Sequence, residues 1–575
     1  MHFTPSLNAL QRRIRVALGE EPGDLVLTGG HVVNVFTEEV HPANVVLADG
    51  FIAGVGPCDW QARERIDVGG RFVVPGLIDA HMHLESTLLM PAELARLVVP
   101  HGTSLLILDP HEVGNVLGVA GIDQLLAASA GLPLDFYFMA PSCVPCMKWE
   151  HAGATLGPVE VDDLLKRDRV LGLAEVMDFP AVLSGEAWVL NKVLAAQANG
   201  SAVDGHAPGL SGQALIGYAA TGVRSDHEST TCEEAQAKAR LGMLVQVREG
   251  STARNLGTLL PLLANNQLGD WAMCTDDIYP EDLRRDGHID GLLKRVVAGG
   301  VPAARAVRHA TLVPARHYGF RDRGAVAPSY RGDLVVMDDL RDFHANLALK
   351  NGRVVAGEGR YLETASPARI SAQNTIRVSR VDEGRFLLKL NDARQPVIRI
   401  VPGQIVTRYE EARVNVVDGC WRFDPAFDHL LVASLERHQR MGTIGLGLTA
   451  GFGFTRHGAI GSSVAHDSHN LVLAGSNPRD LLVCVRALEQ RGGGYVVAAD
   501  GAVQAILPLP FAGLLSLESA DTVCRQLDEL HAAVRSLGCS LASPFGILSF
   551  LALSVIPELR ITDQGLFDVR QQRFV

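Results

Sequence analysis

The sequence predicts an α/β protein: a (β/α)8 TIM-like barrel, a composite small β-sandwich domain and an additional C-terminal α+β domain. Three observations lead there. Eight short apolar runs between residues 74 and 323 each end in polar residues, and segments of helical spacing separate them. Two β-rich stretches, in residues 1–73 and 324–366, flank that block like halves of one small domain. From 367 to 575 the pattern stops, and strand-like runs mix with helices.

Taken in order, the stretch "DLVLTGGHVVNVFTEEVHPANVVLADGFIAGVG", starting at Asp24, alternates like short strands broken by Gly and Asn turns. Its counterpart is "GDLVVMDDLRDFHANLALKNGRVVAGEGR", from Gly332 to Arg360. The eight runs between them are "VVPGLIDAH", "TSLLILDPHE", "LDFYFMAPS", "RVLGLAEVMD", "SAVDGHA", "GVRSDHE", "MLVQVREG" and "WAMCTDD". Near-continuous apolar strands of this kind belong to a parallel sheet covered on both faces. Helical spacing is clear in "GEAWVLNKVLAAQAN" and "CEEAQAKARL". In the last region "GRFLLKL", "PVIRIVPGQIV" and "GGYVVAAD" read as strands and "TVCRQLDELHAAVRSLG" as a helix. The glycines of "GTIGLGLTAGFG" lack the Lys-Ser/Thr ending of a phosphate loop, so close backbone packing is the expectation.

Bulk numbers narrow the function classes. A chain of 575 residues holds two or three domains, and 47% hydrophobic with 20% charged residues is a globular composition. A net charge of -12 argues against a nucleic-acid or anionic-membrane partner. Nine scattered cysteines, with only Cys143 and Cys146 closely spaced, suggest no disulfide framework. The N-terminus has no signal-peptide core. The apolar "SPFGILSFLALSVIP" is short for a membrane span and is expected to be buried. A reduced, cytoplasmic protein follows as the default.

In a (β/α)8 barrel, catalytic groups stand at the C-terminal ends of the strands. Those ends carry His81 and His83, then Asp109, His111 and Glu112, then Glu175 and His206. Asp226, His227 and Glu228 follow, with Arg248, Glu249, Asp276 and Asp277 closing the series. His81 and His83, two apart on a strand, face the same side and can share a cation. Single histidines at His206 and His227 and an aspartate at Asp276 extend the set with ligands that suit Zn, Mn or Fe. Glu175 has two oxygens with which to bridge two metals, or is a glutamate salt-bridged at the barrel rim.

Glu85, Glu112, Glu228 and Asp277 are each as readily loop carboxylates or caps as substrate contacts. The same holds for Arg248 and Glu249, between an internal salt bridge and a substrate contact. A rival zinc reading joins His83-Leu84-Glu85 to Cys143-x-x-Cys146, but Ser142 stands where proline is expected and most of the histidines go unused. His466, Asp467 and His469 in "VAHDSHN" suit a hydrogen-bonded turn, a further metal site or a loop reaching into the barrel mouth.

"PGLIDAHMHLES" with the split β-domain and the late aspartate resembles the amidohydrolase superfamily. Within it, "DPHE", "GLAEVMDFP", "DGHAP", "SDHE", "REGS", "CTDD", "GAIGSSVAHDSHN" and "VIPELR" resemble the bacterial adenine deaminase family, over essentially the whole chain. That resemblance implies two divalent metal ions, Mn or Fe, with Zn an alternative. His81, His83 and Asp276 would hold one metal, His206 and His227 the other, and Glu175 would bridge. It implies a small purine partner and hydrolysis of adenine to hypoxanthine and ammonia, in a cytoplasmic homodimer serving purine salvage. Asp276 would move the proton to ammonia and Glu228 would protonate the ring nitrogen, with Glu85, Glu112 and Asp277 toward the substrate. Ile278-Tyr279 and the stretch from Cys143 to Ala154 depart from the family pattern at expected strand ends. A substituted adenine, another purine or a cyclic amide therefore remain alternative substrates.

Overall fold

The computed structural model describes residues 5–363, 370, 373–402 and 404–575; the expected boundary between 366 and 367 lies outside them. The eight apolar runs form eight parallel strands. The first five, Leu77–Met82, Thr103–Leu108, Asp135–Ala140, Val170–Val176 and Ala202–Gly205, pair in sequence order. Ser225–Asp226, Leu244–Arg248 and Trp271–Cys274 continue the series. The Arg224 N–H donates to the Val203 carbonyl at 3.0 Å, joining the fifth strand to the sixth. A parallel bridge between Met82 and Asp276 closes the ring. The first two strands are buried at every residue, as a parallel strand between core and helices must be.

Helices follow the strands around the outside, among them His111–Ala128, Ala187–Ala198, Cys232–Arg240 and Ile289–Ala298. Cys232–Arg240 shows why a local sequence becomes a helix. The Thr231 side chain caps the Glu234 N–H, acids fill the first turn and bases the last.

Both β-rich stretches build one sandwich. Strand Phe72–Pro75 pairs antiparallel with Leu334–Met337 and parallel with His31–Asn34, so residues from either side of the barrel share a seven-stranded sheet. A four-stranded sheet packs on it through Leu25, Val45, Val73 and Leu334. Lys350, buried in this domain, reaches Asp333 at 2.8 Å and Asp135 of the third barrel strand at 2.7 Å.

The C-terminal domain is an eight-stranded mixed sheet with helices Pro478–Arg491 and Ala520–Ser536. "GRFLLKL" departs from its expected strand: Glu383–Phe386 form a 3-10 turn, and Lys389 makes only an isolated bridge to Cys420. "SPFGILSFLALSVIP" supplies the short buried helix Pro544–Phe550, and no described helix is long and apolar enough to cross a membrane. Glycines of "GTIGLG" lie on the strand Ile444–Ala450. A Cβ on Gly445 would sit 2.0 Å from the Thr562 carbonyl oxygen, and one on Gly447 2.5 Å from Leu566. Gly445→Ala should therefore cost about 1–3 kcal/mol of stability, read as a lowered urea midpoint, whereas an unchanged midpoint would refute the close-packing account.

Candidate metal centre

The barrel mouth gathers imidazoles and carboxylates at ligand spacing. His83 Nε2 lies 3.1 Å from Asp276 Oδ1 and 3.5 Å from Glu175 Oε1, and His81 Nε2 lies 3.4 Å from Asp276 Oδ1. The other Glu175 oxygen faces His206 Nδ1 at 2.8 Å and His227 Nε2 at 3.1 Å. One carboxylate thus looks toward both halves of the cluster. The rings of His81 and His227 stack at 4.0 Å. Three-residue groups His81–His83–Asp276, His81–Glu175–His227 and His206–His227–Glu228 each have donor atoms within 4.8 Å of one another.

These donors fit a metal. His81 Nε2 is buried with no hydrogen-bond partner, although an imidazole nitrogen in a dry site needs one. Burial should discharge His83 and His227, yet Asp276 and Glu175 hold both well above the ordinary histidine range. Burial would likewise neutralise Glu175, and the charges of His206 and His227 keep it low instead. So many carboxylates demand positive charge, as protons on the imidazoles or as cations in their place.

A repeated local device aims these groups. At the first, second and sixth strand ends an aspartate accepts the backbone N–H two residues on: Asp79 from His81 at 3.2 Å, Asp109 from His111 at 3.1 Å, and Asp226 from Glu228 at 3.1 Å. These are Asx-type turns, which let a strand end sharply with its next side chain directed inward. Two of these aspartates also tie a neighbouring segment. Asp79 accepts from Thr275 N and Oγ1, Asp226 from Ala207 N and from buried Lys238 at 2.6 Å. His206 is further fixed by its N–H donating to Tyr218.

Residues 72–357 match the description "Amidohydrolase family", and residues 404–573 match "Adenine deaminase C-terminal domain". An adenine deaminase of Dehalococcoides mccartyi (strain CBDB1) is 42% identical over 568 residues, covering 98% of this chain and 99% of that protein. One from Methanothrix thermoacetophila is 44% identical over 559 residues, covering 97% of each. The chain belongs to the adenine deaminase family.

In this family member, the cavity above the donors is lined by His83, His111, Glu112, Glu175, Glu228, Arg248, Asp276 and Asp277, among others. Arg248, which the sequence allows as an internal salt bridge or a substrate contact, forms internal salt bridges at the cavity wall. It bonds both Glu228 oxygens and donates to Asp276 Oδ2 at 2.8 Å. It does not pair with Glu249, which takes Arg295 at 2.6 Å instead. Burial opposes ionisation of Glu228, but the Arg248 and His206 charges hold its carboxyl far below the usual range. The expected ring acid is therefore ionised at rest, because the guanidinium fork takes both its oxygens.

Glu85 lies apart from the cavity lining: it is fully buried and accepts the Val113 N–H at 3.0 Å, supporting the helix that carries His111 and Glu112. Asp277 takes the Ser86 hydroxyl and does line the cavity. Cys143 and Cys146 are buried beside Met177 and join no described metal-capable group, so the rival zinc reading has no geometry.

Two sets of contacts at the mouth are not readable from the sequence. His111 stands 3.0 Å from Asp109 and 3.6 Å from Glu175, grouped with His83; "DPHE" was its visible signal. "VAHDSHN" meets two of its expectations at once: it is a turn, with the His469 N–H donating to the Ala465 carbonyl, and it is a loop in the barrel mouth. His466 Nδ1 lies 2.7 Å from Glu112, and Asp467 lies 3.7 Å from His111.

Purified protein should carry about two divalent ions per chain at neutral pH and release them as pH falls, since protons and metal compete for the same nitrogens. His83→Ala should lower the content measured by elemental analysis; wild-type protein with under about one ion per chain at neutral pH would contradict this.

Proposed function

We propose that the chain hydrolyses adenine to hypoxanthine and ammonia. Similarity to adenine deaminases across 97–98% of the chain carries this reading, and the donor set in the barrel mouth supports it. His81, His83 and Asp276 would hold one divalent ion, His206 and His227 a second, with Glu175 between them. Manganese or iron is our expectation, with purine salvage as the setting. All nine cysteines are free thiols, in keeping with a reducing cytoplasm. Such ions would lower the pKa of water toward neutrality and so make hydroxide available.

The chain's own groups handle the protons, and one water supplies both. Glu228, ionised at rest, takes the first proton and delivers it to the ring nitrogen beside the carbon under attack. Asp276 takes the second from the new hydroxyl and passes it to the amine, and the C–N bond breaks as ammonia leaves. Arg248 holds both carboxylates in register for this exchange. Glu112 and Asp277, which also line the cavity, would meet the purine's remaining polar edge.

Manganese-loaded enzyme should release ammonia from adenine in a purine panel. A ring-opened product without ammonia would favour cyclic-amide hydrolysis instead. Asp276→Asn should lower kcat by about 100-fold or more with the fold intact; full activity in that variant would remove Asp276 from the mechanism.

A further inference from the structure

Apart from Met177, the apolar side of the cavity does not come from the barrel. Ile405, Phe550, Leu553 and Ile556, all from the C-terminal domain, line it together with the site's carboxylates and imidazoles. Phe550 and Leu553 are 6% and 5% exposed, yet neither joins a hydrophobic core cluster of the described residues. Their neighbours Phe545, Leu548 and Leu551 do. Apolar side chains buried but not committed to a core, beside a polar cavity, are what a binding pocket needs.

One residue organises this wall. Arg560, from "VIPELR", is fully buried on the strand Leu559–Thr562. Its Nη1 donates to the Phe550 carbonyl at 2.6 Å, its Nε to Ile556 at 2.6 Å and its Nη2 to Ile405 at 2.8 Å. A fourth bond, at 2.9 Å, goes to the Pro557 carbonyl. None of the described carboxylates pairs with it, and burial alone lowers its pKa to about 9. A buried guanidinium without a counter-ion is costly. Here its donors fasten at one point the backbone of three cavity-lining residues from two distant stretches, Ile405 and the pair Phe550 and Ile556.

The wall is also keyed to the barrel. The Phe550 ring stacks on the His466 imidazole at 4.5 Å and 21°, and His466 Nδ1 sits 2.7 Å from Glu112. Phe550 is thereby placed relative to the strand ends that carry the candidate metal donors.

We propose that this wall binds the flat, uncharged face of the substrate base, with Phe550 as the contact residue and Arg560 as the positioning residue that holds Ile405, Phe550 and Ile556. This rests on the adenine reading above. The C-terminal domain then supplies base affinity, while the barrel supplies the hydrolytic groups.

Steady-state kinetics on the full-length, manganese-loaded enzyme, with metal content measured alongside, test it. Phe550→Ala should raise KM for adenine by about ten-fold or more, the usual loss when an aromatic face is taken from a base. It should leave kcat within about three-fold and metal content unchanged. Phe550→Leu should fall between. Arg560→Lys keeps the charge but not the fork, and should raise KM in the same direction at full metal content; should it fail to fold, the Phe550 pair decides. Inhibition by hypoxanthine should weaken in parallel with KM. If wild-type enzyme releases no ammonia from adenine, both readings fall. If it does, and Phe550→Ala keeps the wild-type KM or loses kcat alone, this inference falls by itself.

Discussion

Two backbone hydrogen bonds, from Asp276 N to the His81 carbonyl at 3.0 Å and from His83 N to the Asp276 carbonyl at 3.1 Å, close the barrel between its eighth and first strands. The site depends on them. They bring the Asp276 carboxylate against two imidazoles that the two-residue period of a strand has already turned to one side. Asp276 has a φ of 58°, a left-handed conformation that costs a non-glycine residue roughly 1 kcal/mol. The closing pair holds it there, and the chain leaves the strand with the side chain toward the mouth. Fold closure and site assembly are one event at this residue.

Around that seam the constraint is charge. His81, His83, His227, Glu175, Glu228 and Asp276 are all under one-tenth exposed, within a few ångströms of each other. Water cannot screen them, so each needs a partner. Arg248 pairs with two carboxylates and offsets one of their two charges, Lys238 serves Asp226 behind the sixth strand, and raised histidines carry the remainder, where a cation could replace their protons. The strand-end aspartates use backbone N–H groups for the same purpose, so one residue both turns the chain and satisfies itself.

The third domain gives this site an apolar side. A barrel mouth built from strand ends is polar, because the strands end on the groups that do the chemistry. A flat base requires apolar surface as well, and segments around Ile405, His466 and Phe550 reach the cavity from the C-terminal domain. His151, paired with Asp563 at 2.6 Å, adds another link between the barrel loops and this domain. The unusual stretch from Cys143 to Ala154 thus belongs partly to the contact between barrel and C-terminal domain.

Periodicity and local chemistry were enough to read the barrel, because eight apolar runs ending in polar residues repeat a pattern that each segment declares within ten residues. The composite sandwich was legible for the same reason, and so was the grouping of His81, His83, Glu175, His206, His227 and Asp276, since strand ends of one barrel share one mouth. What depended on pairings across tens to hundreds of residues was not legible. Arg248 could have faced Glu249, substrate or solvent, and only the barrel's curvature put Glu228 and Asp276 within its reach. "VAHDSHN" had the composition of a turn, and its insertion against Glu112 required the third domain to dock. "GRFLLKL" had strand composition, but a strand also needs a neighbour's hydrogen bonds, and the fold offers this segment only one isolated bridge. Sequence by itself determined which elements form and where their reactive ends lie. Tertiary structure decided which charges meet and which surfaces close over them, because Coulomb partners and cavity walls are set by distances in space that the spacing of residues along the chain does not encode.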